Sequence, residues 1–179
     1  DLLVEKSNET KLHSKRIRDM SVKLGKAAGL SASQLDELSL TATLHDIGKI
    51  AVPQDILKKK GTLTEKEWDI VKRHPETGYR IASATPELAH VADYVLCCHE
   101  RFDGTGYPHR LKGEDIPIVC RIILIADAYD VMTHDRVYRK AITKDEAIEE
   151  LKRCSGTHFD PKLIDEFIDI IGVKGVKKE

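Results

Sequence analysis

Apolar residues recur along most of the chain at intervals of three and four, the spacing that gathers them on one face of a helix. Leu12, Ile17, Met20, Leu24 and Ala28 mark a first helix from about Glu9 to Ala28, with Gly29 as its stop. Two overlapping capping boxes, Ser31 with Gln34 and Ser33 with Asp36, open a second helix through Leu38, Leu40, Ala42 and Leu44. It is predicted to run to Gly48, with His45-Asp46 in its last turn. Pro53 starts a short helix over 54–60, and a Thr64/Glu67 capping box starts another bearing Trp68, Ile70 and Val71. That helix is predicted to end near His74-Pro75, because a residue before proline avoids the helical region.

Further helices are predicted over 76–83 and from Pro86 to about Cys98, the latter carrying Leu88, Val91, Val95 and Leu96. After a loop over 101–115, Pro117 opens a buried helix through Ile122, Ile125 and Met132. Thr143 with Glu146 caps a helix through Leu151, and Pro161 opens a last one through Ile164, Phe167 and Ile171. Few segments alternate with period two over strand length, so the fold class is all-α. No internal repeat, low-complexity linker or domain boundary interrupts the 179 residues, which suit one domain with a buried core. The lysine-rich tail after Gly172 is expected to fray.

Composition narrows the function classes. With 29 basic against 30 acidic residues and a net charge of -1, the chain advertises no basic face for a nucleic-acid polymer, although a small anionic ligand stays compatible. Four cysteines, two of them adjacent, make no secreted disulfide framework and fit a reducing cytoplasm. The most apolar run, Ile116 to Met132, is broken by Pro117, Arg121, Asp127 and Asp130, so it is no membrane span. The chain begins at Asp1 with no signal peptide, and is expected to be a piece of a longer protein.

Candidate chemistry sits at helix ends. Glu9 and His13 are four residues apart and share a face with Arg16. His45-Asp46 closes an otherwise apolar helix, where a buried imidazole and carboxylate need partners. A carboxylate can bridge two cations while imidazoles hold each of them, the arrangement that ionises water at neutral pH. Lys49, one turn further, suits a phosphate oxygen. His74, His99 and Asp127 each lie at the end of, or inside, a predicted apolar helix. Singly, each is explained as a cap or a hydrogen-bonded core residue, and Glu9 with His13 as a solvated pair. Together they converge from five helices, and such a set is costly to bury without a metal. Zinc-finger spacing is absent, and mixed nitrogen and oxygen ligands favour iron, manganese or zinc in an open, catalytic site. The loop Asp103-Gly104-Thr105-Gly106-Tyr107-Pro108 lets backbone approach a ligand closely, and Arg136, Arg139 and Lys140 offer positive charge to a phosphodiester.

Taken as one set, several motifs resemble the HD-GYP family, the branch of the HD phosphohydrolase superfamily that hydrolyses cyclic di-GMP. They are Glu9…His13…Arg16, His45-Asp46-Ile47-Gly48-Lys49, Lys72-Arg73-His74-Pro75, His99-Glu100-Arg101-Phe102-Asp103-Gly104-Thr105-Gly106-Tyr107-Pro108, Asp127-Ala128-Tyr129-Asp130 and Gly156-Thr157-His158-Phe159-Asp160-Pro161. They cover nearly the whole chain in order. The resemblance implies an HD-domain helical bundle extended by C-terminal helices and a GYP loop. It implies two or three divalent ions, iron or manganese with zinc as a further option, held by Glu9, His13, His45, Asp46, His74, His99 and Asp127, with Asp46 bridging. A metal-bound hydroxide would attack phosphorus, Lys49 would neutralise charge, and the products would be pGpG or GMP. Asp103, Gly106, Tyr107, Arg136 and Arg139 would hold the substrate.

Where the family has His-His-Glu, this chain has Cys98-His99-Glu100. Cys98 is therefore a candidate ligand as a thiolate, or it leaves a coordination position to water, or it weakens the metal site. Cys97, outside the motif, is expected to pack in the helix. Cyclic GMP-AMP as substrate, and a signalling module that binds a cyclic dinucleotide without cutting it, are the alternatives. The resemblance also implies a sensory or receiver domain in the full-length protein and a homodimer formed through a preceding helix.

Overall fold

The computed structural model describes residues 2–135 and 140–172, with side chains from residue 11 onward. The side chain of Glu9, and Arg136 and Arg139, named above as site candidates, lie outside the described residues, as does the tail after Gly172. The chain runs α1 (Leu2–Ala27), α2 (Ala32–Leu44), a 3-10 turn (Ile47–Ala51), α3 (Gln54–Leu57), α4 (Glu65–Val71) and α5 (His74–Ser83). A second 3-10 turn (Ala89–Val91) leads into α6 (Ala92–Cys97), and α7 (Ile118–Thr133), α8 (Lys144–Arg153) and α9 (Pro161–Gly172) complete it. The described residues form no strand, only an isolated bridge between Ser155 and Phe159, so the architecture is all-α as the periodicity implies.

Local signals set most helix starts. Ser31, Thr64 and Thr143 each accept from the backbone N–H three residues on, while Gln34, Glu67 and Glu146 reach back to the cap, forming three complete capping boxes. Of the two overlapping candidates at the second helix, the one at Ser31 forms. The central element is α7, whose Val119, Cys120, Ile122, Ile123, Ile125 and Ala126 are all buried, a pattern expected of a helix with neighbours on most sides. Ile17 and Leu24 from α1, Leu38 and Ala42 from α2, Leu151 from α8 and Phe167 from α9 close over it in one core. Each such buried large apolar side chain contributes roughly 1.5–3 kcal/mol. Val52, Ile56 and Val71 form a small separate cluster that seats α3 and α4.

Helix α1 starts earlier and α3 ends sooner than the sequence predicts, and three further differences bear on the site. First, α2 ends at Leu44, His45 is its C-cap, and the chain tightens into a 3-10 turn instead of continuing to Gly48. Gly48 lies against α5 so closely that a Cβ there would sit 1.8 Å from the His74 carbonyl oxygen and 2.6 Å from the Gly78 nitrogen. Second, His74-Pro75 opens α5 and does not close α4, because proline in a first turn forfeits no helical hydrogen bond. Third, the predicted helix over 86–98 is divided between a 3-10 turn and the shorter α6.

The loop after α6 is tied down from several sides. Glu100, almost fully buried, accepts from the backbone N–H of His109 at 2.7 Å and of Leu111 at 3.1 Å. Phe102 and Asp103 donate their backbone N–H to the carbonyls of His158 and Thr157, fastening the loop to the segment before α9. That segment is held in turn by the Arg121–Asp160 ion pair at 2.5 Å, shielded from water on both sides.

The Gly48 contact yields a test. Gly48→Ala should destabilise the protein by about 3 kcal/mol in a denaturant titration, as overpacking against backbone does. Gly61→Ala, where nothing lies within 4 Å of the added methyl, should change stability by under about 0.5 kcal/mol.

Candidate metal centre

Two groups of ligand-type side chains face one another where α1, α2, α7 and the starts of α5 and of the loop after α6 meet. His13, His45 and Asp127 form one, and Asp46, His74 and His99 the other, each with its ligand atoms within 4.8 Å of one another. Asp46 lies at their junction. Its Oδ2 is 3.5 Å from His45 Nε2 and 2.6 Å from Lys49 Nζ, while its Oδ1 is 3.4 Å from His74 Nε2 and 3.6 Å from His99 Nε2.

Helix ends aim the imidazoles. His45 Nδ1 meets the Ala42 carbonyl at 2.9 Å and His74 Nδ1 meets the Val71 carbonyl at 2.8 Å, each an unpaired carbonyl of a helix's last turn. Because a carbonyl only accepts, each Nδ1 carries the proton and each Nε2 presents a lone pair to the interior, the tautomer a metal requires. His74 Nε2 and His99 Nε2 converge to 2.8 Å, and His45 Nε2 and Asp46 Oδ1 are buried with no hydrogen-bond partner. Orphaned buried atoms of this kind are costly, and a cation in each group would satisfy them. The residues therefore fit a divalent-metal centre.

The electrostatics agree. Burial alone would raise the Asp46 carboxyl, but in the metal-free protein a proton on His45, the Lys49 ammonium and hydrogen bonds from protonated His74 and His99 hold it well below the usual carboxylate range. Burial lowers the His99 pKa against the opposing pull of Asp46, which favours the neutral ring that ligates a metal.

The sequence-derived candidates divide as follows. His13, His45, Asp46, His74, His99 and Asp127 are brought together, and Lys49 sits on Asp46. Of the three outcomes open for Cys98, ligation as a thiolate is not the one seen, since it joins neither group and its Sγ donates to the Tyr94 carbonyl at 3.1 Å, inside the apolar core. Cys120 donates to the same carbonyl at 3.3 Å, so the turn of α6 and its packing on α7 direct position 98 inward. Cys97 is buried in that core too, as expected of a packing cysteine.

A cleft of about 600 Å³ opens beside His99, lined among others by Trp68, Lys72, Arg101 and Tyr107. The Tyr107 ring stacks on His99, with centroids 5.4 Å apart and planes parallel to within 1°. Burial, reinforced by Asp46, pushes the Tyr107 phenol up to about 12, so it remains a hydrogen-bond donor. Gly106 is required by close approach, since a Cβ would fall 2.3 Å from the Arg101 nitrogen and 2.5 Å from Glu100 Cα. Asp103 shapes the loop: its Oδ1 accepts from Thr105 N–H at 2.9 Å and Thr105 Oγ1 at 2.7 Å, hydrogen bonds that lower its pKa.

One residue without an assigned role proves central. Asp130, fully buried, accepts from His13 Nδ1 at 2.6 Å and from both Arg16 Nε and Nη2, the latter at 3.0 Å. It thereby orients His13 so that Nε2 faces Asp127 at 3.5 Å. A second acidic residue three positions after Asp127 in so apolar a helix was its signal in the sequence.

A family model described as "HD domain" matches residues 1–163. The 3'3'-cGAMP-specific phosphodiesterase 2 of Vibrio cholerae is 40% identical over 174 residues, covering 92% of this chain and 33% of that protein. A cyclic di-GMP phosphodiesterase of Thermotoga maritima is 38% identical over 164 residues, covering 90% of this chain and 45% of that protein. Among solved structures, an HDG"Y"P protein from Bdellovibrio bacteriovorus superposes with a TM-score of 0.71 at 21% identity, over 89% of this chain and 51% of that one, a likeness of fold. The chain thus spans under half the length of these curated relatives.

The buried carboxylate of α7 supplies the test here. Burial by itself would raise the Asp130 carboxyl, but the His13 and Arg16 hydrogen bonds hold it below the ordinary carboxylate range. A depressed folded-state pKa contributes stability that is present above the unfolded value of about 3.9 and lost as pH falls through the folded one. Asp130→Ala should therefore cost about 3 kcal/mol in urea unfolding of the metal-free protein at pH 7. The gap to the parent protein should narrow as the pH drops below about 4.

Proposed function

The chain belongs to the HD domain family, and from that premise we propose that it is a metal-dependent phosphodiesterase hydrolysing cyclic di-GMP to linear pGpG, with GMP after a second cut. The observation that carries this reading is the Asp46 carboxylate standing between two histidine groups, with its own Oδ1 and His45 Nε2 buried without a hydrogen-bond partner. In this reading His13, His45 and Asp127 would hold one divalent ion and Asp46, His74 and His99 another, with Asp46 placed between the two groups. Glu9 is kept as a further ligand from its place four residues before His13. The oxygen and nitrogen donor set suits iron or manganese, with zinc as a further option, and with Cys98 turned into the core no thiolate tilts the choice away from manganese. When bound, such ions lower the pKa of water toward neutrality and offset charge on phosphate oxygens.

The chain's own groups do the rest. Lys49 adds a partly exposed ammonium beside Asp46, available to the non-bridging oxygens of the scissile phosphate. Tyr107 offers a protonated hydroxyl from a ring fixed on His99. Gly106 brings loop backbone close, and Lys72 and Arg101 line the cleft against a doubly anionic ligand. Arg136 and Arg139 are retained as further phosphate contacts. Water attacks phosphorus, the bond to the 3′ oxygen breaks, and that oxygen leaves with a proton.

Cyclic GMP-AMP is the second substrate reading, favoured by the Vibrio cholerae relative named for it. A receptor that binds without cutting stays the rival of another class, since a Cys98 turned into the core supplies no ligand where the family has a histidine. That the relatives extend beyond the matched span supports a sensory or receiver domain in the full-length protein; a homodimer is a further proposal. No described helix is long and apolar enough to cross a membrane, and the cysteines Cys97, Cys98, Cys120 and Cys154 are free, both compatible with action in the cytoplasm.

The protein purified anaerobically, supplied with manganese or iron and followed by chromatography, should convert cyclic di-GMP to pGpG. Asp46→Ala should lower that rate at least about a hundredfold and reduce bound metal in elemental analysis. Tight binding of intact nucleotide by the metal-loaded parent protein, with no product, would favour the receptor; faster turnover of cyclic GMP-AMP would favour the second substrate.

A further inference from the structure

Helix α4 has a face that the metal centre does not use. Glu65, Trp68, Asp69 and Lys72 fall at i, i+3, i+4 and i+7, so they form one stripe, and all four line the cleft beside His99 and Tyr107. The helix does not need this stripe for its own stability. Val71 on the opposite side anchors it to Val52 and Ile56, the Thr64/Glu67 box caps it, and Lys59 clamps Glu67 at 2.6 and 2.9 Å. Trp68, the one tryptophan of the chain, is left 44% exposed with its indole toward the cleft. A large aromatic surface kept in water on a rigid helix is poised to be covered by a flat partner.

The neighbours of Trp68 define that partner. Asp69 and Lys72 also line the adjoining space, about 540 Å³, formed by the Gly104–Pro108 loop and Arg110. The cleft thus runs from an aromatic platform with a carboxylate beside it to a basic, backbone-lined stretch and on to His99. A nucleobase stacks on an indole, its phosphates meet Lys72 and Arg101, and a carboxylate accepts the paired N1–H and N2–H₂ donors of guanine. Adenine offers that carboxylate an unprotonated N1 instead, which repels it.

We propose that the Trp68–Asp69 face of α4 is a guanine subsite, with Trp68 stacking on the base and Asp69 reading its Watson–Crick edge. The subsite deepens the phosphodiesterase reading and rests on it. Its specificity follows from the chemistry: a cyclic dinucleotide needs one guanine to occupy it, so cyclic di-GMP and cyclic GMP-AMP bind and cyclic di-AMP is excluded. The helix also couples subsite to metal centre, since the Val71 carbonyl one turn beyond Trp68 fixes the His74 ring.

Because Trp68 is the sole indole, fluorescence excited at the red edge, where the five tyrosines do not absorb, reports on Trp68 alone. Titration with cyclic di-GMP should quench it saturably, at the same midpoint that calorimetry gives for binding, and cyclic di-AMP should leave it unmoved. Trp68→Ala should weaken cyclic di-GMP binding about tenfold while Trp68→Phe retains most of it, and Asp69→Asn should shrink the preference over cyclic di-AMP about tenfold. Calorimetric binding with unchanged fluorescence, or full affinity in Trp68→Ala, would overturn the subsite while leaving the phosphodiesterase reading intact. Failure of the parent protein to bind or cut any cyclic dinucleotide would overturn both.

Discussion

A carboxylate taken out of water must be given cations, and the fold is organised around doing so for Asp46. Its two oxygens look toward three histidines and one lysine, yet Oδ1 remains buried without a hydrogen bond. Neutral imidazoles cannot balance it, because their lone pairs point inward as its own do. Two of those rings are held in that tautomer by carbonyls in the last turns of α2 and α4. The helix termini, which ordinarily need caps, thus become the devices that orient ligands. Asp127 adds a second negative charge on the far side of His13. Positive charge from outside the chain would satisfy this set while leaving the rings neutral.

Support extends outward from that centre through buried polar pairs. Asp130 grips His13 and Arg16 from within α7, joining the first helix to the central one. Glu100 draws the loop after α6 back on itself through two backbone N–H groups, and this carries Tyr107 onto His99. Arg121 and Asp160 hold the C-terminal segment on which that loop rests. Removing one member of such a pair strands its partner, so each acts as a rigid strut even where its net contribution to stability is modest.

Much of the fold was legible because helical periodicity and capping boxes are local properties. The Ser31, Thr64 and Thr143 boxes all form where the residue types place them. The end of α2 was not legible, because it depends on Gly48 meeting the backbone of α5, a contact between segments about 26 residues apart. For the same reason His74-Pro75 read as an ending when it is a beginning. The ligand set was visible as histidines and aspartates at apolar helix ends, and six of them do converge. The sequence left three outcomes open for Cys98, because its direction depends on the turn of α6 that offers the Tyr94 carbonyl and on Cys120 of α7, which shares that carbonyl. Asp130 was conspicuous as a charge in an apolar helix, but its partner His13 lies 117 residues away.

The most direct test is to see the cations. Anomalous diffraction from crystals of the protein loaded with manganese should show one ion between His13, His45 and Asp127 and another beside His74 and His99, both in contact with the Asp46 carboxylate. An ion held by the Cys98 sulfur, or no ion between the two groups at full loading, would contradict the account.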